Sequence, residues 1–92
     1  MAILLVSDAP QDTLAQYDQV IARLESAGHG RPPGRRSHTA ARKGDGYLVV
    51  DVWESQEALD RFLEVLLPAL QEVGSTSPPP QVYPVHNTIE GA

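Results

Sequence analysis

The sequence predicts an α+β domain in which two helices cover a four-stranded antiparallel sheet. Two segments with apolar residues at helical spacing alternate with short apolar runs that are typical of strands. A Gly-Asp-Gly turn stands between the second and third strand-like runs, which predicts a hairpin. The 92 residues suffice for one domain, near the lower end of what folds alone. We therefore expect a single domain that spans residues 1–92.

A strand and a helix are predicted first. Residues 2–6, Ala-Ile-Leu-Leu-Val, form a short apolar run that predicts a strand buried on both faces. Asp8 or Asp12 is the expected N-cap of the helix that follows. The apolar residues of this helix recur at helical spacing: Leu14, Tyr17, Val20, Ile21 and Leu24. Gly28 is expected to end it, because glycine readily adopts the left-handed conformation that closes many helices.

A hairpin, a second helix and a last strand complete the pattern. Residues 35–43 are weakly strand-like and meet the stronger strand 47–53 across Asp-Gly, whose residues both tolerate the positive φ of tight turns. Ser55 is the expected N-cap of the second helix. Pro68, inside its apolar pattern, is expected to kink or open that helix. With residues 81–89 as the final strand, the order is the ferredoxin-like β-α-β-β-α-β arrangement.

Composition excludes several classes of site. The chain has no cysteine, which rules out disulfides and thiolate metal sites. A net charge of −5 argues against nucleic acid as a partner. No apolar run is long enough to cross a bilayer and no signal-peptide pattern occurs, so we expect a cytoplasmic protein without a membrane partner. Nucleotide-binding glycine motifs are absent and the three histidines lack metal-ligand spacing, so neither a cofactor nor a metal is expected.

Basic residues are concentrated in one stretch. Five of the seven lysines and arginines lie between residues 29 and 43, which contain no acidic residue. Such a segment can steer an anionic ligand toward an otherwise acidic protein. Charge runs nevertheless more often serve only to solvate a loop.

The central strand predicts self-association, because two helices can cover only one face of the sheet. This strand is apolar on both sides, with one set of Leu48, Val50 and Val52 and another of Tyr47, Val49 and Trp53. An exposed sheet face this apolar is an interaction surface or a liability. A small chain without cysteine also needs further stabilisation. We therefore expect a homodimer, with Trp53 at or near the subunit interface.

The hairpin predicts which polar residues share a face, because residues opposite each other on paired strands do so. With Asp45-Gly46 as the turn, His38 lies opposite Trp53. With Gly44-Asp45 as the turn, it lies opposite Asp51. Either loop brings these three side chains to one face, whereas a three-residue loop would reverse the arrangement. We assign the other set of the central strand to the helices, so His38, Asp51 and Trp53 are expected on the opposite face.

The candidate site residues follow from this register. A buried Asp51 needs a partner, because an unpaired buried charge is costly, and His38 is the candidate. The pair is either a base with its orienting carboxylate or an ion pair that only fixes the interface. Tyr83 and His86 of the last strand are secondary candidates for binding substrate, although no hairpin fixes the face that His86 occupies. Tyr17 is expected to pack rather than react.

The chain also resembles a known type of domain. The order of elements, Val-Asp-Val-Trp-Glu-Ser at residues 50–55, the later Pro68 and Val-Tyr-Pro-Val-His-Asn at 82–87 resemble antibiotic biosynthesis monooxygenase domains of the dimeric α/β-barrel superfamily. This resemblance covers nearly the whole chain. It implies a dimer whose two sheets face each other, with pockets between sheet and helices or loops. The best-known enzymes of this type oxidise aromatic polyketides with O₂ and neither metal nor flavin. Haem-degrading relatives use a helical histidine, which neither predicted helix contains.

The resemblance favours a cofactor-independent oxygenase that acts on an aromatic or polyketide-like molecule in an apolar pocket. His38 would be the general base, Asp51 its orienting partner, and Trp53 a pocket wall and candidate N–H donor. Histidine suits this role because its ordinary pKa lies near neutrality. Two alternatives remain open. One is a non-catalytic dimer that binds a small ligand, and the other is an isomerase or cyclase that uses the same base without O₂.

Overall fold

The predicted order of strands and helices is present in the computed structural model, which describes residues 1–91. The elements are β1 (Ile3–Ala9), α1 (Leu14–Ser26), β2 (Arg35–Lys43), β3 (Gly46–Trp53), α2 (Gln56–Glu72) and β4 (Gln81–Pro84). The strands form one antiparallel sheet in the order β2-β3-β1-β4. Both helices pack on one face of it. This confirms the ferredoxin-like α+β fold.

The start of α1 differs from the expectation that Asp8 or Asp12 caps it. Thr13 is the N-cap: its hydroxyl accepts the Gln16 N–H at 3.1 Å, and the Gln16 side chain accepts the Thr13 N–H at 2.9 Å. These reciprocal bonds form a capping box. Asp8 lies within β1, and Asp12 is buried with its carboxylate bonded to the loop after α2. The helix ends before Gly28, which has the left-handed φ of +84°.

Helix α2 begins as predicted but is not interrupted by its proline. The Ser55 hydroxyl accepts the backbone N–H of Ala58 at 3.1 Å, which confirms Ser55 as the N-cap. Glu57 lies in the first turn, where a negative charge interacts favourably with the helix dipole. The helix continues through Pro68 and ends at Glu72.

The last strand is shorter than predicted. β4 ends at Pro84, whereas the sequence pattern extended to residue 89. β4 runs antiparallel to β1 with Pro84 opposite Ile3, so β1 offers no strand to pair with beyond this point. The N–H of Val85 still donates to the Ala2 carbonyl at 3.0 Å. His86 therefore lies outside the sheet, and it is exposed.

The hairpin register confirms that the three predicted side chains share a face. Lys43 pairs with Gly46 across the two-residue turn Gly44-Asp45, and His38 lies opposite Asp51. A bulge between Arg35 and Ser37 then brings Arg35 opposite Trp53.

The assignment of that face was wrong. Trp53 is fully buried against α2, with its ring centroid 5.3 Å from that of Phe62, and Asp51 is 5% exposed. Trp53 therefore belongs to the buried core of the chain, which corrects its expected place at or near a subunit interface. Within residues 1–91, no helix lies on the other face of the sheet, which we call the open sheet face. Its apolar residues, partly or largely exposed, are Leu4, Val6, Leu48, Val50, Val52 and Tyr83.

Candidate functional site

A cavity of about 410 Å³ lies between the sheet and the two helices. Its wall is mainly apolar, as is usual for small-molecule sites. Both helices contribute to the apolar part, together with β1, β3 and the loop after α2: Leu5, Val20, Ile21, Leu24, Val49, Leu59, Phe62, Leu63, Leu66, Leu67, Leu70, Pro78, Pro79 and Pro80. Four ionisable side chains that bear on the chemistry also line it, namely Tyr17, Arg35, His38 and Asp51.

A chain of hydrogen bonds connects the cavity to the core. The Tyr17 hydroxyl lies 2.6 Å from His38 Nε2, and His38 Nδ1 lies 2.6 Å from Asp51 Oδ1. Trp53 Nε1–H donates to Asp51 Oδ2 at 3.2 Å. α1, β2 and β3 each supply one or more of these groups, so the fold itself brings them together. We call this chain the Tyr17–His38–Asp51 relay.

The partners of His38 determine its tautomer. The Asp51 side chain is 7% exposed, and an ionised carboxylate only accepts hydrogen bonds. His38 Nδ1 therefore carries the hydrogen that is donated to Asp51, and Nε2 accepts from the Tyr17 hydroxyl. In this arrangement a proton can pass from Tyr17 to His38, and the imidazolium that forms lies beside a carboxylate.

Tyr17 is the member of the relay that sequence reasoning missed. Burial, chiefly, raises the pKa of the Tyr17 hydroxyl; the Asp51 carboxylate acts in the same direction and the Arg35 guanidinium opposes it. Tyr17 is therefore a protonated donor at neutral pH. Its ring also packs edge-on against Tyr47 with centroids 5.2 Å apart. A tyrosine on the apolar face of a helix resembles a core residue, so the sequence carried no signal of this contact.

The structure brings together some of the predicted site residues and separates others. His38 and Asp51 are adjacent at the cavity. Trp53 donates a hydrogen bond to Asp51 from the core side. It is not among the described residues that line the cavity. Tyr83 lies on the open sheet face, where its hydroxyl donates to the Gln81 side chain at 2.8 Å. His86 is exposed beyond the end of β4. Neither of these two residues reaches the cavity.

A second polar cluster holds the loop after α2 against the cavity. Asp12, 2% exposed, accepts the Thr76 backbone N–H at 2.9 Å and also the Ser75 hydroxyl. The next residues of this loop, 77–80, line the cavity. Burial and then the neighbouring Asp12 carboxylate raise the pKa of Tyr47 to about 12. Asp12 therefore positions part of the cavity wall.

Two kinds of feature are absent from residues 1–91. No helix there is long and apolar enough to cross a membrane. In the same part of the chain, no three or more histidine, aspartate or glutamate side chains are grouped as a metal ion would require.

Comparison with solved structures identifies the type of fold. SnoaB, a cofactor-independent oxygenase from Streptomyces nogalater, matches with a TM-score of 0.67 and 25% identity over 98% of this chain and 97% of that one. A protein assigned as an antibiotic biosynthesis monooxygenase from Chloroflexus aurantiacus matches with a TM-score of 0.64 and 21% identity, over 99% of this chain and 100% of that one.

A third match has a different ligand. A variant of MhuD with two manganese protoporphyrin IX molecules bound per active site matches with a TM-score of 0.58 and 18% identity, over 99% of this chain and 100% of that one. Comparisons with protein-family models and with curated proteins found no match. The chain has the fold of the antibiotic biosynthesis monooxygenase-like domains of the dimeric α/β-barrel superfamily, as the sequence resemblance implied.

Proposed function

We propose that this protein is a cofactor-independent oxygenase that acts on an aromatic, polyketide-like small molecule bound in the cavity. One observation carries the proposal: a hydrogen-bonded Tyr–His–Asp relay ends at a mainly apolar cavity. An apolar wall suits an aromatic ring system, and the relay supplies the base that such a reaction needs. The likeness to SnoaB, at 25% identity, adds support.

The relay would start the reaction by removing a proton from an activated carbon of the substrate. The Tyr17 oxygen accepts this proton while its own proton moves to His38 Nε2, and the Asp51 carboxylate stabilises the imidazolium. The electron-rich substrate anion then adds O₂ and becomes a peroxide. The relay returns the proton to the peroxide, which loses water and leaves a carbonyl. A CH₂ group and O₂ thus give C=O and H₂O, with no external electron donor.

Oxygen consumption with an anthrone or a dihydroxyanthracene tests the proposal. His38→Ala should lower the rate about 10²-fold or more, which is the contribution typical of a general base. Tyr17→Phe keeps the ring but removes the hydroxyl, so it should also lower the rate. His29→Ala is the matched control, because His29 lies exposed in the loop after α1. Its rate should equal that of the wild type.

The same assay separates the alternatives. Turnover that continues without O₂ would contradict the oxygenase and favour an isomerase or cyclase. Tight binding of the anthrone with no turnover would favour a ligand-binding protein. A His38→Ala variant that keeps the full rate would contradict the relay as the base.

We also propose that the open sheet face joins two copies in a homodimer. Its leucines and valines have no helix over them, and a face this apolar is normally covered. Val50→Asp, at the centre of this face, should give a folded monomer in sedimentation experiments. Gln19→Asp, on the exposed side of α1, should leave the dimer intact. A wild-type protein that sediments as a monomer at micromolar concentration would contradict this interface.

A further inference from the structure

One of the five arginine and lysine residues of the basic stretch lines the cavity. Arg35 is partly buried and lines the cavity, whereas Arg31, Arg36, Arg42 and Lys43 are exposed. The bulge in β2 explains the difference. It makes Arg36 the extra residue and puts Arg35 opposite Trp53, on the face that the helices cover. Bulges often re-aim a side chain in this way.

The Arg35 guanidinium has few partners in the protein. One N–H donates to the Gly30 carbonyl at 3.1 Å, and the guanidinium carbon lies 5.7 Å from the centre of the Phe62 ring. None of the ion pairs found within residues 1–91 includes Arg35. Both oxygens of Asp51 already accept other donors. A guanidinium has five N–H donors, so most of them remain available to a ligand.

The charge of Arg35 reaches the relay. Arg35 and Tyr17 line the same cavity, and the guanidinium charge acts to lower the pKa of the Tyr17 hydroxyl. An anion in the cavity would therefore lie near a cation, and it would contact an apolar wall elsewhere. Taking a cation out of water without a counterion is costly, so an anionic ligand would offset this cost.

We propose that Arg35 binds a negatively charged oxygen of the ligand, so that the cavity selects aromatic compounds with a carboxylate or an ionised phenol. Guanidinium and carboxylate geometries match, and the paired hydrogen bonds give specificity as well as affinity. The inference rests on the proposed function only in taking the cavity as the ligand site. It does not depend on a reaction with O₂.

Calorimetric binding of 2-naphthoate and of its neutral analogue 2-naphthamide tests this proposal. The wild type should bind the carboxylate about tenfold or more tightly than the amide. Arg35→Gln should remove this preference and leave the affinity for the amide nearly unchanged. Arg36→Gln is the matched control, since it removes an equal charge from the adjacent exposed position, and it should keep the preference. Arg35→Lys retains the charge and should retain part of the preference for the carboxylate.

The second kind of negatively charged oxygen, that of an ionised phenol, is tested with 2-naphthol. The absorbance of its phenolate shows whether the cavity promotes ionisation. Promotion in the wild type and not in Arg35→Gln would support an ionised phenol, and a preference seen only with naphthoate would support a carboxylate.

Three results would overturn the inference. They are equal wild-type affinities for naphthoate and naphthamide, loss of the preference in Arg36→Gln as well as in Arg35→Gln, and no saturable binding of any probe at millimolar concentration. Thermal unfolding of Arg35→Gln checks that the variant is folded. If it is not, loss of all preference in a folded Arg35→Lys would overturn the inference. Intact anion preference without oxygen consumption would contradict only the proposed function.

Discussion

Replacing Asp51 with asparagine tests whether the relay has the proton arrangement that we infer. The carboxylate now accepts from His38 Nδ1–H and Trp53 Nε1–H. A carboxamide has one acceptor and one donor group, so it can satisfy only one of these two donors. Indole nitrogen can only donate, which assigns the amide oxygen to Trp53. The amide NH₂ then faces His38, whose proton must move to Nε2. In Asp51→Asn, His38 would therefore donate to Tyr17 and could no longer accept its proton.

The expected loss of folding stability in Asp51→Asn follows from the hydrogen bonds that change. A hydrogen bond to a charged group contributes about 1.5–3 kcal/mol to stability. The variant replaces one such bond with a weaker neutral one and weakens the other, so we expect it to lose about 2 kcal/mol. For a domain of this size that corresponds to a fall in Tm of about 10 °C. The rate of O₂ consumption by the proposed oxygenase should also fall, by about 10³–10⁴-fold, as when the wrong tautomer forms in other Asp–His pairs.

Nitrogen-15 NMR of the His38 ring reads the tautomer directly. The wild type should carry its proton on Nδ1, and Asp51→Asn should carry it on Nε2. Asp45→Asn, in the exposed hairpin turn, is the matched control and should change neither Tm nor tautomer. If His38 of the Asp51→Asn variant keeps its proton on Nδ1, or if Tm is unchanged, the inferred relay is incorrect.

Three further predictions concern the core around the cavity. The pKa of Tyr47 is raised from 10.0 to about 12 in the folded protein, so the stability that it contributes is complete below pH 10 and lost as the pH rises through about 12. Tm should thus fall less steeply over this interval in Tyr47→Phe than in the wild type, and equal slopes would contradict the assignment. Asp12→Ala removes the acceptor that holds the loop after α2, so denaturant unfolding should show a loss of about 2–3 kcal/mol and hydrogen exchange should rise in that loop. Gly46→Ala would put a Cβ 2.1 Å from the Ala9 carbonyl oxygen, so strand pairing must shift and Tm should fall strongly. Gly91→Ala meets no atom within 4 Å and should leave Tm unchanged.

The element order was predictable because local signals mark its boundaries. Ser55 and Gly28 mark helix ends through hydrogen bonding and backbone freedom that depend only on neighbouring residues. The hairpin signal likewise predicted that His38, Asp51 and Trp53 share a face, but it left two turns open. The structure selects Gly44-Asp45 as the turn, which pairs His38 with Asp51. No comparable local signal marks the end of β4, because that end depends on where β1 begins.

Which face the helices cover was not predictable from β3 alone. Its two sets of side chains are nearly equal in apolar character, so strand alternation shows which residues lie together but not what covers them. Tyr17 was missed for a related reason. Its contact with His38 joins a helix to an edge strand, and neither helical spacing nor strand pairing describes that distance.

The alternation of side chains along β3 also divides its residues between two surfaces. Odd-numbered positions from 47 to 53 belong to the cavity and its support, and the even-numbered positions between them belong to the open sheet face. A substitution in one set can therefore alter the cavity without altering the open sheet face, at which we propose that two copies meet. Every group of the relay also belongs to the one chain. If the protein is the dimeric oxygenase that we propose, a mixed dimer of one intact chain and one His38→Ala chain should therefore consume O₂ at half the rate of the intact dimer.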